Sequence, residues 1–141
     1  MNRICPHCGK RNRVPSRHLA DQGRCGACKG VLPPLDAPLE VNAEAFDDIT
    51  RNLGVPILVD FWAPWCGPCR TAAPEVDAAA RSLAGRAVVL KVNSDDNPEL
   101  SARYGVRSIP NFAVFRNGSL VWQQAGVLRR GQLEAAVTGS L

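Results

Sequence analysis

The six cysteines of this 141-residue chain form three C-x-x-C pairs, which could serve three kinds of chemistry. The pairs are Cys5 with Cys8, Cys25 with Cys28, and Cys66 with Cys69. Two such pairs on tight turns can hold zinc through four thiolates, whereas one pair at the start of a helix can exchange disulfides. The residues around each pair decide between a metal site, a structural disulfide and redox chemistry.

Sixteen residues separate Cys8 from Cys25, a spacing typical of two pairs that share one zinc ion. We therefore predict one zinc per chain in a four-cysteine site made by Cys5, Cys8, Cys25 and Cys28. Disulfides in an exported chain and free thiols on a disordered tail are the alternatives. His7 and His18 are expected on the surface, because four cysteines already complete a structural zinc shell.

Glycines next to the cysteine pairs are expected to allow main-chain N–H groups to approach the sulfurs. These glycines are Gly9, Gly26 and Gly30. A zinc ion could order this segment, since structural sites in small peptides contribute about 10–16 kcal/mol.

Residues 1–33 carry seven Lys and Arg side chains against one acidic residue, Asp21, which gives this segment a charge of +6. The rest of the chain therefore sums to −2 of the total +4. The segment has few large aliphatic residues and no aromatic one, so we expect no hydrophobic core of its own. Its basic charge is compatible with nucleic-acid binding, but the absence of stacking aromatics argues against single-strand recognition. We expect no nucleic-acid partner.

The stretch from Leu32 to Pro38, LPPLDAP, contains three prolines and is expected to be an extended connector. We predict a zinc-binding module at 1–33, a proline-rich linker at 34–38 and an α/β domain at 39–141, which should retain its activity without residues 1–33. No apolar run approaches the roughly 18 residues that a membrane helix needs. The N-terminus lacks the pattern of a secretory signal, so a cytoplasmic location is expected.

Apolar periodicity after residue 38 predicts a mixed α/β sheet. Strands are predicted at 56–63 and 87–93, with a helix at 66–83 between them, which is the pattern of a parallel βαβ unit. A further helix is expected from Asn42, as its cap, to Gly54. An Asn-Gly turn indicates a hairpin of 111–115 with 119–124, and Leu133, Val137 and Leu141 indicate a closing helix.

Cys66 lies where the first predicted strand passes into the helix, and Cys69 follows three residues later on the same helical face. The partial positive charge of a helix N-terminus favours a thiolate at Cys66, which makes it the expected nucleophile. Cys69 is expected to be less exposed and less acidic. This arrangement suits disulfide exchange, in which Cys66 attacks a disulfide and Cys69 resolves the mixed disulfide. A structural disulfide would close too small a loop to stabilise much.

The sequence VDFWAPWCGPCR around this pair resembles the active site of the thioredoxin family. The resemblance covers residues 38–141 and extends to YGVRSIPNFAVFRNG and AGVLRRGQL. The N-terminal cysteine pairs are similar to those of the zinc-containing second thioredoxin of bacteria. The resemblance implies a thioredoxin fold, a central mixed β-sheet flanked by helices, preceded by a zinc-ribbon-like module. It also implies a monomeric protein-disulfide reductase that is itself reduced by a flavin-dependent thioredoxin reductase.

The resemblance also assigns roles around the redox-active Cys66–Cys69 disulfide. Gly67 and Pro68 match the dipeptide of reducing thioredoxins, and Pro110 matches a cis-proline beside the cysteines. Trp65, Ile109, Ala125 and Gly126 are expected to form a flat apolar rim that binds protein substrates. Asn111 departs from the threonine that many family members carry after this proline.

Asp60 interrupts an apolar strand, so its carboxyl should be buried, have a raised pKa and accept the proton of Cys69. The alternative is a surface acid at the strand end. Lys91 resembles the lysine near this aspartate, although a side chain that reaches the surface explains it equally well.

A second interpretation of the whole chain comes from another functional class. The protein could be a zinc-dependent redox sensor or holdase that uses its thioredoxin domain mainly to bind partners. Catalytic reduction of insulin disulfides separates this interpretation from that of a reductase.

Overall fold

The computed structural model describes residues 1–139, in which five strands form one mixed sheet. The strands of this sheet are β5 (Leu39–Glu40), β6 (Ile57–Trp62), β7 (Val88–Asn93), β8 (Asn111–Arg116) and β9 (Ser119–Ala125). Their order across the sheet is β5-β7-β6-β8-β9. Strands β5, β6 and β7 are parallel, whereas β8 and β9 are antiparallel to their neighbours. The predicted βαβ unit, hairpin and mixed sheet are thus confirmed.

Helices cover both faces of the sheet. Helix α1 (Ala43–Asn52) begins at the predicted cap Asn42, whose Oδ1 accepts a hydrogen bond from the Ala45 N–H at 2.9 Å. Helix α2 (Gly67–Ser82) joins β6 to β7, and α4 (Arg130–Thr138) closes the chain. The predicted contribution of Leu141 to α4 lies outside the described residues. The short helix α3 (Pro98–Arg103) was not predicted, because six residues are too few to show a periodic apolar pattern.

Alternating residues of β6 divide the core into two parts. Val59 and Phe61 face a cluster that includes Phe46 and Ile49 of α1. Leu58 faces the opposite side, where it packs with residues of α2 and α4. All these side chains are fully buried, as expected for a central strand covered on both faces.

Two small hairpins form the N-terminal part. Strands β1 (Asn2–Ile4) and β2 (Arg11–Arg13) make the first, and β3 (Gly23–Arg24) and β4 (Val31–Leu32) make the second, with a 3-10 turn at Ser16–His18 between them. Each hairpin turn contains one cysteine pair. The hairpins share a small buried cluster of Cys5, Cys25 and Leu32.

The N-terminal part packs on the α/β domain, which revises the expectation of an independent catalytic domain. Leu19 is fully buried and belongs to the same core cluster as Phe46 and Ile49. The Ser16 hydroxyl donates a hydrogen bond to the Asp48 carboxylate, and the Leu35 N–H donates to the Leu19 carbonyl at 2.9 Å. Residues 1–33 therefore contribute apolar side chains to the neighbouring core.

These contacts lie at the edge of the sheet away from Cys66. The carboxyl ends of the parallel strands share one edge, and Cys66 follows β6 at that edge. A Cβ atom at Gly85, just before β7, would lie 3.8 Å from the Pro34 side chain and 4.0 Å from the Ala20 carbonyl oxygen. The N-terminal part thus covers the opposite edge and leaves the surroundings of Cys66 open.

We expect Leu19→Ala to lower the free energy of unfolding by about 2–5 kcal/mol, because the truncation leaves a cavity in a shared core. Ile4→Ala is the matched control: Ile4 lies in the same N-terminal part but is 65% exposed. Its effect should stay within about 0.5 kcal/mol. Urea unfolding measures both; equal midpoints for the two variants would contradict the shared core.

Candidate active site and metal centre

Cys66 occupies the N-cap of α2, immediately before its first helical residue. Its Sγ accepts a hydrogen bond from the Cys69 N–H at 3.1 Å, and the two cysteines form a disulfide with their Cα atoms 5.2 Å apart. In the reduced protein the same N–H group and the positive helix end would favour a thiolate at Cys66. Gly67 and Pro68 form the first turn of the helix, where proline lacks only an N–H that would have no helical partner.

Cys69 was expected to be less exposed than Cys66, and this prediction is wrong. Cys66 is 3% exposed and Cys69 is 5% exposed. The Cys66 sulfur is covered because it lies against the chain before Pro110, 3.7 Å from the Ile109 carbonyl oxygen. The two cysteines differ instead in their position along α2, since Cys66 caps the helix and Cys69 lies in its first turn.

The loop opposite the disulfide contains a cis peptide bond between Ile109 and Pro110, as the resemblance implied. The Pro110 carbonyl accepts a hydrogen bond from the Gly126 N–H at 2.9 Å, which links this loop to the end of β9. Asn111 is buried, and its Oδ1 accepts a hydrogen bond from Gln123 Nε2 at 2.9 Å. The departure at Asn111 is therefore accommodated by a partner on the next strand.

Trp65 is 65% exposed beside the disulfide, and its Nε1 donates to Asp95 Oδ2 at 2.7 Å. Trp65 and Ile109 line a groove of about 380 Å³ together with Val106. Ala125 and Gly126 are exposed but do not line this groove. The surface next to Cys66 is thus a groove on one side, where the sequence predicted a flat rim.

Asp60 lies in the middle of β6 and is 2% exposed. Among the residues that the structure describes, no group donates a hydrogen bond to its Oδ1. Burial raises the pKa of Asp60 to about 7; Lys91 opposes this rise, whereas Glu40 and Asp77 add to it. The alternative of a surface acid is therefore wrong, and the carboxyl is suited to hold and release a proton near neutral pH.

Lys91 is the direct neighbour of Asp60 on β7. Its Nζ lies 4.4 Å from the ring centroid of Trp62, and the Trp62 indole Nε1 donates to both Glu40 carboxylate oxygens, at 3.2 and 3.1 Å. The sequence did not identify Glu40 as part of the site. Glu40 reaches Trp62 because β5 pairs with β7, and no local sequence pattern predicts this pairing.

The four N-terminal cysteines converge on one point, with their sulfur atoms all within 4.8 Å of one another. Cys5 Sγ lies 3.6 Å from Cys28 Sγ, and Cys8 Sγ lies 3.6 Å from Cys25 Sγ. Zinc–sulfur bonds of about 2.3 Å in a tetrahedron require sulfur separations of about 3.8 Å. The donor set and its spacing therefore fit a zinc tetrathiolate.

Main-chain and amide donors surround these sulfurs. The His7 and Ala27 N–H groups donate to Cys5 and Cys25 Sγ at 3.3 and 3.4 Å, and Asn12 Nδ2 donates to Cys25 Sγ at 3.4 Å. The N–H of Cys28 and the Asn12 amide lower the pKa of Cys25 to about 6. Such donors stabilise thiolates and orient them for a cation.

The glycines near the cysteines follow the prediction in part: the Gly30 N–H donates to Cys28 Sγ at 3.3 Å, and a Cβ at Gly30 would lie 3.2 Å from that sulfur. Gly9 has a φ of +75°, but in the second pair it is Lys29, with a φ of +62°, that takes this conformation. A Cβ at Gly30 would lie 2.7 Å from the His7 ring, so Gly30 serves close packing between the two turns. For Gly26 the nearest contact would be an ordinary 3.7 Å.

A cysteine at the N-cap of a helix, a second cysteine one turn later and a buried carboxyl near neutral pKa define a dithiol–disulfide oxidoreductase. Comparison with known proteins agrees with this class. Residues 37–139 match the family model described as thioredoxin, and residues 4–30 match the zinc-ribbon model described as thioredoxin 2, N-terminal. The chain belongs to the thioredoxin family and is a thioredoxin-type protein-disulfide oxidoreductase.

Individual relatives cover different parts of the chain. Thioredoxin C-3 of Corynebacterium nephridii is 38% identical over 131 residues, which is 93% of this chain and 89% of that protein. Thioredoxin of Haemophilus influenzae is 45% identical over 95 residues, or 67% of this chain and 89% of the relative. A solved mutant thioredoxin from Halobacterium salinarum is 33% identical, with a TM-score of 0.70 over 79% of this chain and 96% of its own.

Within residues 1–139, no helix is both long and apolar enough to cross a bilayer.

The raised pKa of Asp60 should make stability depend on pH. The folded protein holds this proton up to about pH 7, whereas the unfolded chain releases it near pH 4, so the contribution of Asp60 falls as pH rises through this window. Compared with Asp60→Ala, the wild type should lose up to about 4 kcal/mol between these limits. Urea unfolding of both proteins in their oxidised forms, across this pH range, measures the difference in stability. If the two curves of stability against pH run parallel, Asp60 is not a buried, protonated acid.

Proposed function

We propose that this chain reduces disulfides in other proteins through Cys66 and Cys69, and that zinc bound by the N-terminal cysteines has a structural role that oxidation can reverse. The observation that carries the reductase proposal is the Cys66 sulfur at the N-cap of α2, bonded to Cys69 and next in sequence to Trp65, which lines an open groove. The redox-active disulfide therefore lies next to a groove that a substrate protein could occupy.

The reaction begins with the reduced dithiol. The Cys66 thiolate attacks one sulfur of the substrate disulfide, so a Cys66–substrate bond forms and the other substrate sulfur leaves as a thiolate that takes up a proton. Cys69 then loses its proton to Asp60 and attacks the Cys66 sulfur. The mixed disulfide breaks, Cys66 and Cys69 become a disulfide, and the second substrate sulfur leaves as a thiolate that takes up the proton held by Asp60. The substrate gains two electrons and two protons in total.

Other residues position the substrate and the proton. Asp60 is buried on the sheet face covered by α2, which supports its role as the base for Cys69. Lys91 would stabilise the ionised form of Asp60. The chain around cis-Pro110 lies against Cys66 and can pair with an extended substrate segment. The exposed surface of Trp65, Ile109, Ala125 and Gly126 would contact its side chains.

Electrons are proposed to come from a thioredoxin reductase, since the oxidised pair must be reduced after each turnover. We place the protein in a reducing cytoplasm, because Cys5, Cys8, Cys25 and Cys28 are free thiols suited to a metal. We also propose that it acts as a monomer. We further propose that residues 1–33 are a zinc module joined by 34–38 to the thioredoxin domain at 39–141. The module would hold zinc through its four thiolates, and the ion would fix the two hairpin turns relative to each other.

The unequal cysteines lead to a test of the reductase proposal. We expect Cys66→Ser to abolish insulin reduction by losing the nucleophile, while Cys69→Ser still attacks and accumulates a mixed disulfide with substrate. Gel analysis under non-reducing conditions detects the trapped species. Equal trapping by the two variants would refute these roles, and a wild type that fails to reduce insulin catalytically would favour a sensor or holdase.

The zinc proposal predicts one zinc ion per chain in freshly reduced protein. Cys8→Ser should weaken zinc binding and lower the melting temperature, because the two hairpins that flank Leu19 lose their cross-link. Peroxide should release the ion as the thiolates are oxidised to disulfides and peroxide is reduced to water. Elemental analysis and differential scanning calorimetry measure these effects, and the proposal fails if reduced protein contains no zinc.

A further inference from the structure

Three charged side chains form a row across the parallel strands beneath α2. Glu40 on β5 pairs with Lys91 on β7, and Lys91 pairs with Asp60 on β6. Residues in register on adjacent strands project from the same face of a sheet. The row therefore places a positive side chain between two acidic ones, with Asp60 at the buried end.

Trp62 contacts two members of this row, Glu40 and Lys91. It lies two residues after Asp60 on β6 and therefore on the same face. Its indole N–H donates to both Glu40 oxygens, at 3.2 and 3.1 Å, while Lys91 Nζ lies 4.4 Å from the ring centroid. Glu40 thus holds the ring over which Lys91 is placed, a contact that also attracts the ammonium group.

The charged groups that face Asp60 come from three elements. They are Lys91 from β7, Glu40 from β5 and Asp77 from α2, whereas its partner on β8 is the uncharged Phe112. Lys91 is the cation of this set. Burial is the main cause of the raised pKa of Asp60, and the effect of Lys91 limits how far this pKa rises.

We propose that Glu40 is a positioning residue of the dithiol exchange: it holds Trp62 and Lys91 in place and offsets the charge of Lys91 at Asp60. The inference rests on the proposed role of Asp60 as the base for Cys69. Without the Glu40 charge, Lys91 would favour ionised Asp60 more strongly. Asp60 would then be a weaker base, and transfer of the Cys69 proton would be slower at alkaline pH, where Asp60 is ionised in both proteins.

Glu40→Gln separates charge from structure, because glutamine keeps an oxygen that can accept the Trp62 hydrogen bond. We expect the Asp60 titration midpoint in the reduced protein to fall by about half a pH unit, a Coulomb effect across two strand spacings weakened by exposure of Glu40. Carboxyl-carbon NMR measures the midpoint directly. In single-turnover kinetics, the pH dependence of mixed-disulfide resolution should shift to lower pH. The rate of mixed-disulfide formation should not change.

Glu44→Gln is the matched control, since it removes the same charge from an exposed position in the first turn of α1. The Glu40 inference is overturned if its variant leaves the Asp60 midpoint unchanged, or shifts it no more than Glu44→Gln does. Asp60→Asn tests the underlying assignment separately. If Asp60→Asn does not slow resolution, the base role fails and the Glu40 inference fails with it.

Discussion

The hydrogen bond from the Cys69 N–H to the Cys66 sulfur depends on how β6 connects to α2, at the edge of the sheet where the parallel strands end. Cys66 can cap α2 because β6 delivers the chain to this edge through the buried Ala63. A thiolate at that point gains from the helix dipole and from a main-chain donor. The parallel pairing of β6 with β7 and the packing of α2 on Leu58 hold this junction in place.

The same geometry explains why a carboxyl can be tolerated in the core. Asp60 lies two residues after Leu58 on β6, so it is buried on the sheet face that is covered by the helix that carries the dithiol. Ionising this group in an apolar environment is costly, and the structure provides Lys91 as a partner on the adjacent strand. A buried carboxyl of this kind reduces stability, and such groups are common where function requires a perturbed pKa.

Local patterns were sufficient to predict the βαβ unit, the capped helix α1, the Asn-Gly hairpin and the clustering of the N-terminal cysteines. Each depends on residues close in sequence, where periodicity, caps and spacing carry the information. Two other features could not be predicted from the sequence, because they depend on contacts between segments that are distant along the chain. Leu19 supports the core of another part of the chain, and Glu40 approaches Trp62 only because β5 pairs with β7. The positive φ of Lys29 was missed because glycine is the usual residue there.

The position of the N-terminal hairpins constrains how zinc could influence the reaction. The segments that flank the hairpins contact the α/β domain near Gly85 and Asp48, away from the edge of the sheet that carries Cys66. Any effect of the metal on exchange must then pass through the shared core, from Leu19 to α1 and the central strands. Closely packed cores transmit strain but resist gradual deformation. Loss of the ion would therefore act first on the stability of the fold and only through it on the chemistry at Cys66.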